Sequence, residues 1–213
     1  MLAIAPAIAH ASPDAKGIRI GSGFLAPSNT DAFNNAQSTA LNPQPGFEVG
    51  TYLTWRRSPT FAMQLEGLVS NKQMTSENCG MGQNGCTPLA KVSLWYLELP
   101  FLFRLDLLPG DTKLHLDAGP EAVLTLGGGM TPTDGSYQRF EDLLPFNVGA
   151  VVGAGLEFPV GPGKITFDVR YQRWLIDLTG SLDSNNPPPG FANGMSQIQP
   201  SHQLLAMVGY AFP

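Results

Sequence analysis

The chain has 213 residues, a formal charge of -5, 43% hydrophobic and only 14% charged residues, 24 glycines, 19 prolines and a mean hydropathy of -0.02. That length suits one domain with a sizeable core, while sparse charge with abundant Gly and Pro excludes a long helical bundle and the apolar content excludes disorder throughout. The acidic balance supplies no basic footprint for nucleic acid, and no apolar run reaches the roughly 18 residues of a membrane helix.

The first element, Met1 to Ala11, is apolar and ends in Ala9-His10-Ala11, the small-x-small pattern a signal peptidase accepts. It lacks a basic leading region, so it reads as the remnant of a secretory signal peptide whose start lies upstream, with residues 12–213 forming the mature domain. From Lys16 onward the apolar residues recur every second position, which is strand periodicity. Lys16 to Leu25 sets Ile18, Ile20 and Phe24 against Arg19, Gly21 and Gly23. Gly46 to Arg56 sets Phe47, Val49, Leu53 and Trp55 against Glu48, Gly50, Tyr52 and Thr54. Thr60 to Ser70 opposes Phe61, Met63, Leu65 and Val69 to Gln64, Glu66 and Ser70, and Lys91 to Leu105 opposes Trp95, Leu97, Leu99, Phe101 and Phe103 to Tyr96, Glu98 and Arg104.

The second half repeats the scheme. Lys113 to Leu126 places Leu114, Leu116, Ala118 and Leu124 against His115, Asp117, Gly119 and Glu121. Phe146 to Phe158 alternates Phe146, Val148, Val152, Leu156 and Phe158 with glycines and Glu157. Lys164 to Ile176 opposes Ile165, Phe167, Val169 and Tyr171 to Thr166, Asp168 and Arg170, and Ser201 to Phe212 closes with Leu204, Val208, Tyr210 and Phe212 on one face. Leu68, Val123, Val151, Trp174 and Met207 break the parity. Long polar segments near 26–45, 71–90, 127–145 and 177–200 alternate with short turns near 57–59, 108–111 and 159–163. The expectation is an all-β, eight-stranded, antiparallel up-and-down transmembrane β-barrel, with RFEDLL at Arg139 to Leu144 as a short helical turn in one loop.

Two features favour lipid outside. The glycines share the parity of the charged residues, as a narrow lumen requires, whereas a soluble barrel's exterior favours Lys, Thr and Glu there. The aromatics fall into two groups, Trp55, Phe61, Phe103, Phe158, Phe167, Tyr210 and Phe212 near the short turns and Phe24, Phe47, Trp95 and Phe146 near the long loops, as membrane interfaces favour. The motifs Trp95-Tyr96-Leu97-Glu98-Leu99-Pro100, Leu116-Asp117-Ala118-Gly119-Pro120, Gly153-Ala154-Gly155-Leu156-Glu157, Asp168-Val169-Arg170-Tyr171 and Tyr210-Ala211-Phe212 carry a resemblance. Over residues 16–213 the chain resembles the porin-family small outer-membrane β-barrel domains, the broad group of PorT-like and OmpA-transmembrane-domain-like barrels. That resemblance implies residence in the bacterial outer membrane, contact with its lipids, long loops outside and termini in the periplasm. It also implies a final aromatic residue read by the barrel-assembly machinery, here Phe212 followed by Pro213.

The lumen-facing charges are Arg19, Glu48, Arg56, Glu66, Glu98, Arg104, Asp117, Glu121, Glu157, Asp168 and Arg170. The four arginines group towards the periplasmic half with Glu157 and Asp168, and Glu48, Glu66, Glu98 and Glu121 towards the middle and outer half. Confined carboxylates must be paired, hydrated or protonated, so these residues are expected to form a salt-bridge network that largely plugs the barrel, with a structural or surface-interaction role. A narrow cation-preferring pore is one alternative, and a secreted lipocalin-like binder of an apolar ligand is another. No catalysis, cofactor or metal is expected. Ser201-His202 with Asp183 resembles a nucleophile set, but adjacent strand residues face opposite ways, and Glu66 with Glu98 has no substrate cleft. Gly127-Gly128-Gly129 opens no helix and so is not a phosphate cradle, and His10, His115 and His202 are too scattered for zinc. Cys79 and Cys86 are expected to close a loop disulfide. Phe33, Met81, Tyr137 and Phe191 are candidate loop contacts for an extracellular ligand.

Overall fold

Nine strands form among the described residues, 14–27, 37–80, 87–108, 110–139, 146–175 and 200–212, of the computed structural model. They are β1 (Ala15–Pro27), β2 (Gln37–Arg56), β3 (Phe61–Gly80), β4 (Thr87–Asp106), β5 (Lys113–Pro132), β6 (Gln138–Arg139), β7 (Phe146–Val160), β8 (Gly163–Trp174) and β9 (Pro200–Phe212). Hydrogen bonding runs β4-β3-β2-β1-β9-β8-β7-β5, and a β4–β5 pairing closes the ring. The result is a closed eight-stranded antiparallel barrel. The two-residue β6 lies outside the ring, paired with β5 at Gly129↔Arg139 and Met130↔Gln138.

Period-two spacing decides which side chains meet lipid. Val169 is 56% exposed, whereas its neighbours Asp168 and Arg170 are 3% and 1% exposed, so the apolar parity faces outward and the charged parity is enclosed. The β7–β8 turn shows why the connections at one end can be so short. Gly161 has a φ of +57 and Pro162 follows it, a pairing that suits a two-residue hairpin with a positive first central φ.

Three predicted loops prove to be partly strand. β2, β3, β4 and β5 each extend 20 residues, while β1, β8 and β9 stop at 13, 12 and 13, so the four longer strands rise as a wall above the loop-end rim. The segments 71–80 and 87–90 are polar, yet they pair in register from Asn71↔Trp95 to Asn78↔Thr87, interrupted by one shift beside Ser76. The parity breakers are also explained. Leu68, Val123, Val151, Trp174 and Met207 are buried on the inward parity, because part of the lumen is filled with apolar side chains and not with charge.

The proposed leader at 1–11, the helical turn beyond Arg139, Cys86 and the loop residues Phe33, Met81, Asp183 and Phe191 lie outside the described residues. So does the side chain of Cys79, although its backbone is placed at the end of β3.

Outward aromatics sit at two levels. Near the loop end Phe47 meets Trp95 edge to face at 5.6 Å, with Phe24 and Phe146 exposed on β1 and β7. Towards the turn end lie Phe61 on Phe103 at 6.4 Å, Phe158 on Phe167 at 6.2 Å and Tyr210 on Phe212 at 5.2 Å, with Trp55 beside Met63. Trp95 and Phe103 are separated on β4 by about 27 Å of strand at ~3.4 Å per residue, about 20 Å of membrane depth once a barrel tilt of ~40° is included.

Candidate functional site: the charged lumen

The enclosed face stacks its polar groups in layers, which run from the turn end to the loop end. At the turn-end mouth Asp106 accepts from Arg56 Nη1, from Arg104 Nε at 3.2 Å and from Lys113 Nζ at 3.2 Å. Glu157 accepts from Arg104 Nη2 at 2.8 Å and Lys164 Nζ at 2.7 Å. Two carboxylates thus serve four cations. A cavity of about 160 Å³ opens beside them.

The next layer centres on His115, which is fully buried. Its Nδ1 lies 2.7 Å from Arg104 Nη2, and its Nε2 lies 2.8 Å from Asp168 Oδ1 and 3.5 Å from Asp117 Oδ2. The spacing of His115, Asp117 and Asp168 is compatible with a metal ion, which the scattered histidines of the sequence did not suggest. The donor geometry argues otherwise. A guanidinium can only donate, so Nδ1 must be the acceptor and Nε2 must carry the proton given to Asp168. A metal at Nε2 would move that proton to Nδ1, facing the Arg104 N–H, and Arg19 and Arg170 would add further cationic repulsion.

Above it, Glu66 is gripped by two arginines. Arg170 donates Nη1 to Oε2 at 2.7 Å and Nη2 to Oε1 at 2.9 Å, and Arg19 donates Nη1 to Oε1 at 2.8 Å. Gln64 adds a further donor, itself held by Thr54 at 3.1 Å. Arg19 also lies 4.4 Å over the Tyr52 ring. Charge-assisted forks of this kind are roughly twice as strong as neutral hydrogen bonds, and they satisfy a carboxylate that would otherwise be costly to bury. Glu66 therefore shares a level with Arg19 and Arg170, and the sequence-based grouping of arginines apart from Glu66 does not hold.

The layer nearest the loop end is acidic. Lys72 Nζ lies 2.7 Å from Glu98 Oε1 and 3.8 Å from Glu48 Oε1, donates to Gln203 and sits 4.3 Å over the Trp174 ring. Gln172 donates to Glu98 at 3.3 Å and to Glu121 at 3.1 Å, and Gln203 donates to Glu48 at 2.9 Å. Glu48 Oε2 and Glu121 Oε2 are buried with no hydrogen-bond partner among the described residues. Three carboxylates here share one lysine. Beyond it, Met74, Val92, Leu94, Tyr96, Met130 and Trp174 form an apolar layer at the mouth.

Lys72, Asp106, Lys113, His115, Lys164, Gln64, Gln172 and Gln203 are among the network members that reading the sequence missed. Lys72 was hidden in what reads as a loop, although its alternation with Met74 and Ser76 continues the β3 period. His202 gives no support to a nucleophile set. Its ring stacks on Tyr171 at 5.7 Å, with Tyr171 Oη against Nδ1, on the outward wall. Glu66 and Glu98 are each engaged by their own cations in separate layers.

A family model described as an outer membrane protein beta-barrel domain matches residues 14–180. Among solved structures the chain is similar to the outer membrane protein OprG from Pseudomonas aeruginosa, at 12% identity over 94% of this chain and 97% of that one, with a TM-score of 0.51. Lower TM-scores relate it to Ail, the attachment invasion locus protein of Yersinia pestis (10% identity, 93% and 95% covered, 0.43), and to the translocator domain of autotransporter NalP from Neisseria meningitidis (10%, 96% and 90%, 0.40). At these identities the likeness speaks for the fold alone. No curated protein sequence matches the chain.

Proposed function

The chain belongs to the outer membrane protein beta-barrel domain family, and on that premise we propose that it is a closed, non-catalytic barrel that serves the outer membrane structurally or through its surface. The turn end faces the periplasm and the wall of long strands faces outward. The observation that carries this reading is the filled lumen. Arg170, Glu66 and Glu98 are enclosed with their charges paired across strands, and the apolar layer of Tyr96, Leu94 and Met130 lies above them. Eight strands enclose little more than the volume of their own inward side chains. A carrier of apolar ligand would turn Val169, Phe167 and Val152 inward, and they are exposed outside.

Planar-bilayer recording on the pure refolded protein tests the reading, and no steady conductance is expected. Stable cation-preferring steps that shrink in Glu98→Gln and Glu66→Gln would replace it with the narrow pore. Protease treatment of whole cells tests the sides, with cleavage expected in the 176–199 connection and protection of the turns at Ser58 and Gly161. The outer-membrane lipids, the assembly machinery acting on the strand that ends at Phe212, and a ligand at the long loops are the partners this role implies.

A further inference from the structure

We propose that the turn-end mouth of the lumen is a binding site for a compact oxyanion, a carboxylate or a phosphate. The cavity of about 160 Å³ found there is lined by Arg56, Arg104, Lys164, Glu157, Thr54 and Tyr52. The cations at this mouth outnumber the acids that hold them. Among the described residues, Arg56, Arg104, Lys113 and Lys164 find carboxylates within 4 Å only at Asp106 and Glu157. Asp14 also lines the cavity, but its carboxylate accepts the backbone N–H of Arg56 and is solvated. The side chains of Arg56 and Lys164 are 27% and 39% exposed, so the site is reached from solvent without disturbing the closed layers above it.

Tyr52 supplies the observation that charge alone does not. Its side chain is buried among the lining residues, yet its hydroxyl has no hydrogen-bond partner among the described residues. Buried hydroxyls are nearly always paired, and one without a partner on a residue that lines a cation-rich cavity is a donor in want of an acceptor. The neighbouring backbone makes room for it. A Cβ on Gly17 would stand 2.4 Å from Tyr52 Cζ, so the glycine leaves the space the phenol tip occupies. Planar guanidinium forks, an ammonium and a hydroxyl converging on one small cavity are a donor set for the oxygens of a carboxylate or phosphate. The site goes beyond the closed-barrel role and does not depend on which side of the membrane the mouth faces.

The test uses the full chain refolded in zwitterionic detergent micelles. Inorganic phosphate, acetate and, at matched ionic strength, chloride are titrated while the amide signals of Thr54 and Gly163 are followed by NMR. Saturable shifts with phosphate, acetate or both, and none with chloride, are expected; the anion that saturates tells a phosphate-bearing ligand from a carboxylate. Tyr52→Phe removes only an unpartnered hydroxyl, so it should fold normally and weaken the apparent affinity at least five-fold, as should Lys164→Gln. Lys91→Gln, at the other end of the barrel, should leave it unchanged. Shifts that chloride reproduces, or a Tyr52→Phe protein that binds as the parent does, would overturn the proposal. If Lys164→Gln does not fold, Tyr52→Phe decides alone.

Discussion

Arg170 and Glu66 meet across the full width of the barrel. Arg170 projects from β8 and Glu66 from β3, strands four places apart in either direction around the ring, and two hydrogen bonds of 2.7 and 2.9 Å join them. No backbone ladder links those strands. The pair therefore ties together opposite walls that neighbour-to-neighbour pairing leaves independent.

Arg170→Met removes one end of that tie and leaves Glu66 to Arg19 and Gln64, with Asp117 losing a nearby cation. Breaking a buried pair from one side typically costs about 3–5 kcal/mol. Urea unfolding in phospholipid vesicles should show a loss of that size. Pairing the change with Glu66→Gln should recover part of it, because the carboxylate that Arg170 gripped most closely is then gone. Equal stability of the parent and Arg170→Met would show that water replaces the guanidinium.

Lys72→Met should be destabilising, since Glu98 and Glu48 lose the one cation that lies within 4 Å of them among the described residues. Glu121→Gln should be neutral or stabilising, as Glu121 has one oxygen without a partner in an acid-rich layer and its neighbour Gln172 can still bond an amide. Heat-modifiable gel migration gives the order, with the unfolding temperature expected to rise from Lys72→Met, through the Lys72→Met/Glu121→Gln double variant, to the parent. A double variant no better than Lys72→Met would mean the two sites are not coupled.

Gly119→Ala is expected to prevent assembly, and Gly67→Ala to be tolerated. A Cβ on Gly119 would fall 1.9 Å from the Phe101 carbonyl oxygen, a backbone atom that cannot swing aside, whereas on Gly67 the nearest atom is Leu99 Cδ2 at 3.9 Å. The folded fraction recovered from urea into detergent separates the two.

The three tryptophans report on the faces. Trp95 lies on the outward wall at 40% exposed and Trp55 lies beside outward Met63, while Trp174 is enclosed at 5%. In single-tryptophan variants, lipids brominated on the acyl chain should quench Trp55 and Trp95 and spare Trp174. Quenching of Trp174 would place it against lipid and invert the parity of β8.

Parity is a local property of a strand, so the face bearing Arg19, Glu66 and Arg170 was legible from spacing alone. Their partners were not. Contact between Arg170 and Glu66 spans 104 residues and exists only because the ring closes, while His115 reaches Asp168 across 53 residues only because Gly155 of the intervening β7 leaves room for both. Strand ends were the weakest reading. Asn71, Lys72 and Gln73 have a loop-like composition, and what keeps them extended is pairing with β2 and β4, a tertiary effect invisible in the segment itself. The inward placement of Trp174 and Leu68 was obscured for a related reason, because one face carries charge at some depths and apolar filling at others.

The unequal strand lengths give the molecule a front and a back. β2 to β5 stand several residues higher than β1, β8 and β9 on the opposite arc. A tube of even height looks the same from every lateral approach; this one does not. Along the strands themselves, a neighbour diffusing in the plane of the membrane meets a taller face at β2 to β5 than at β1, β8 and β9, so rotation about the membrane normal becomes a variable that governs which strands it meets.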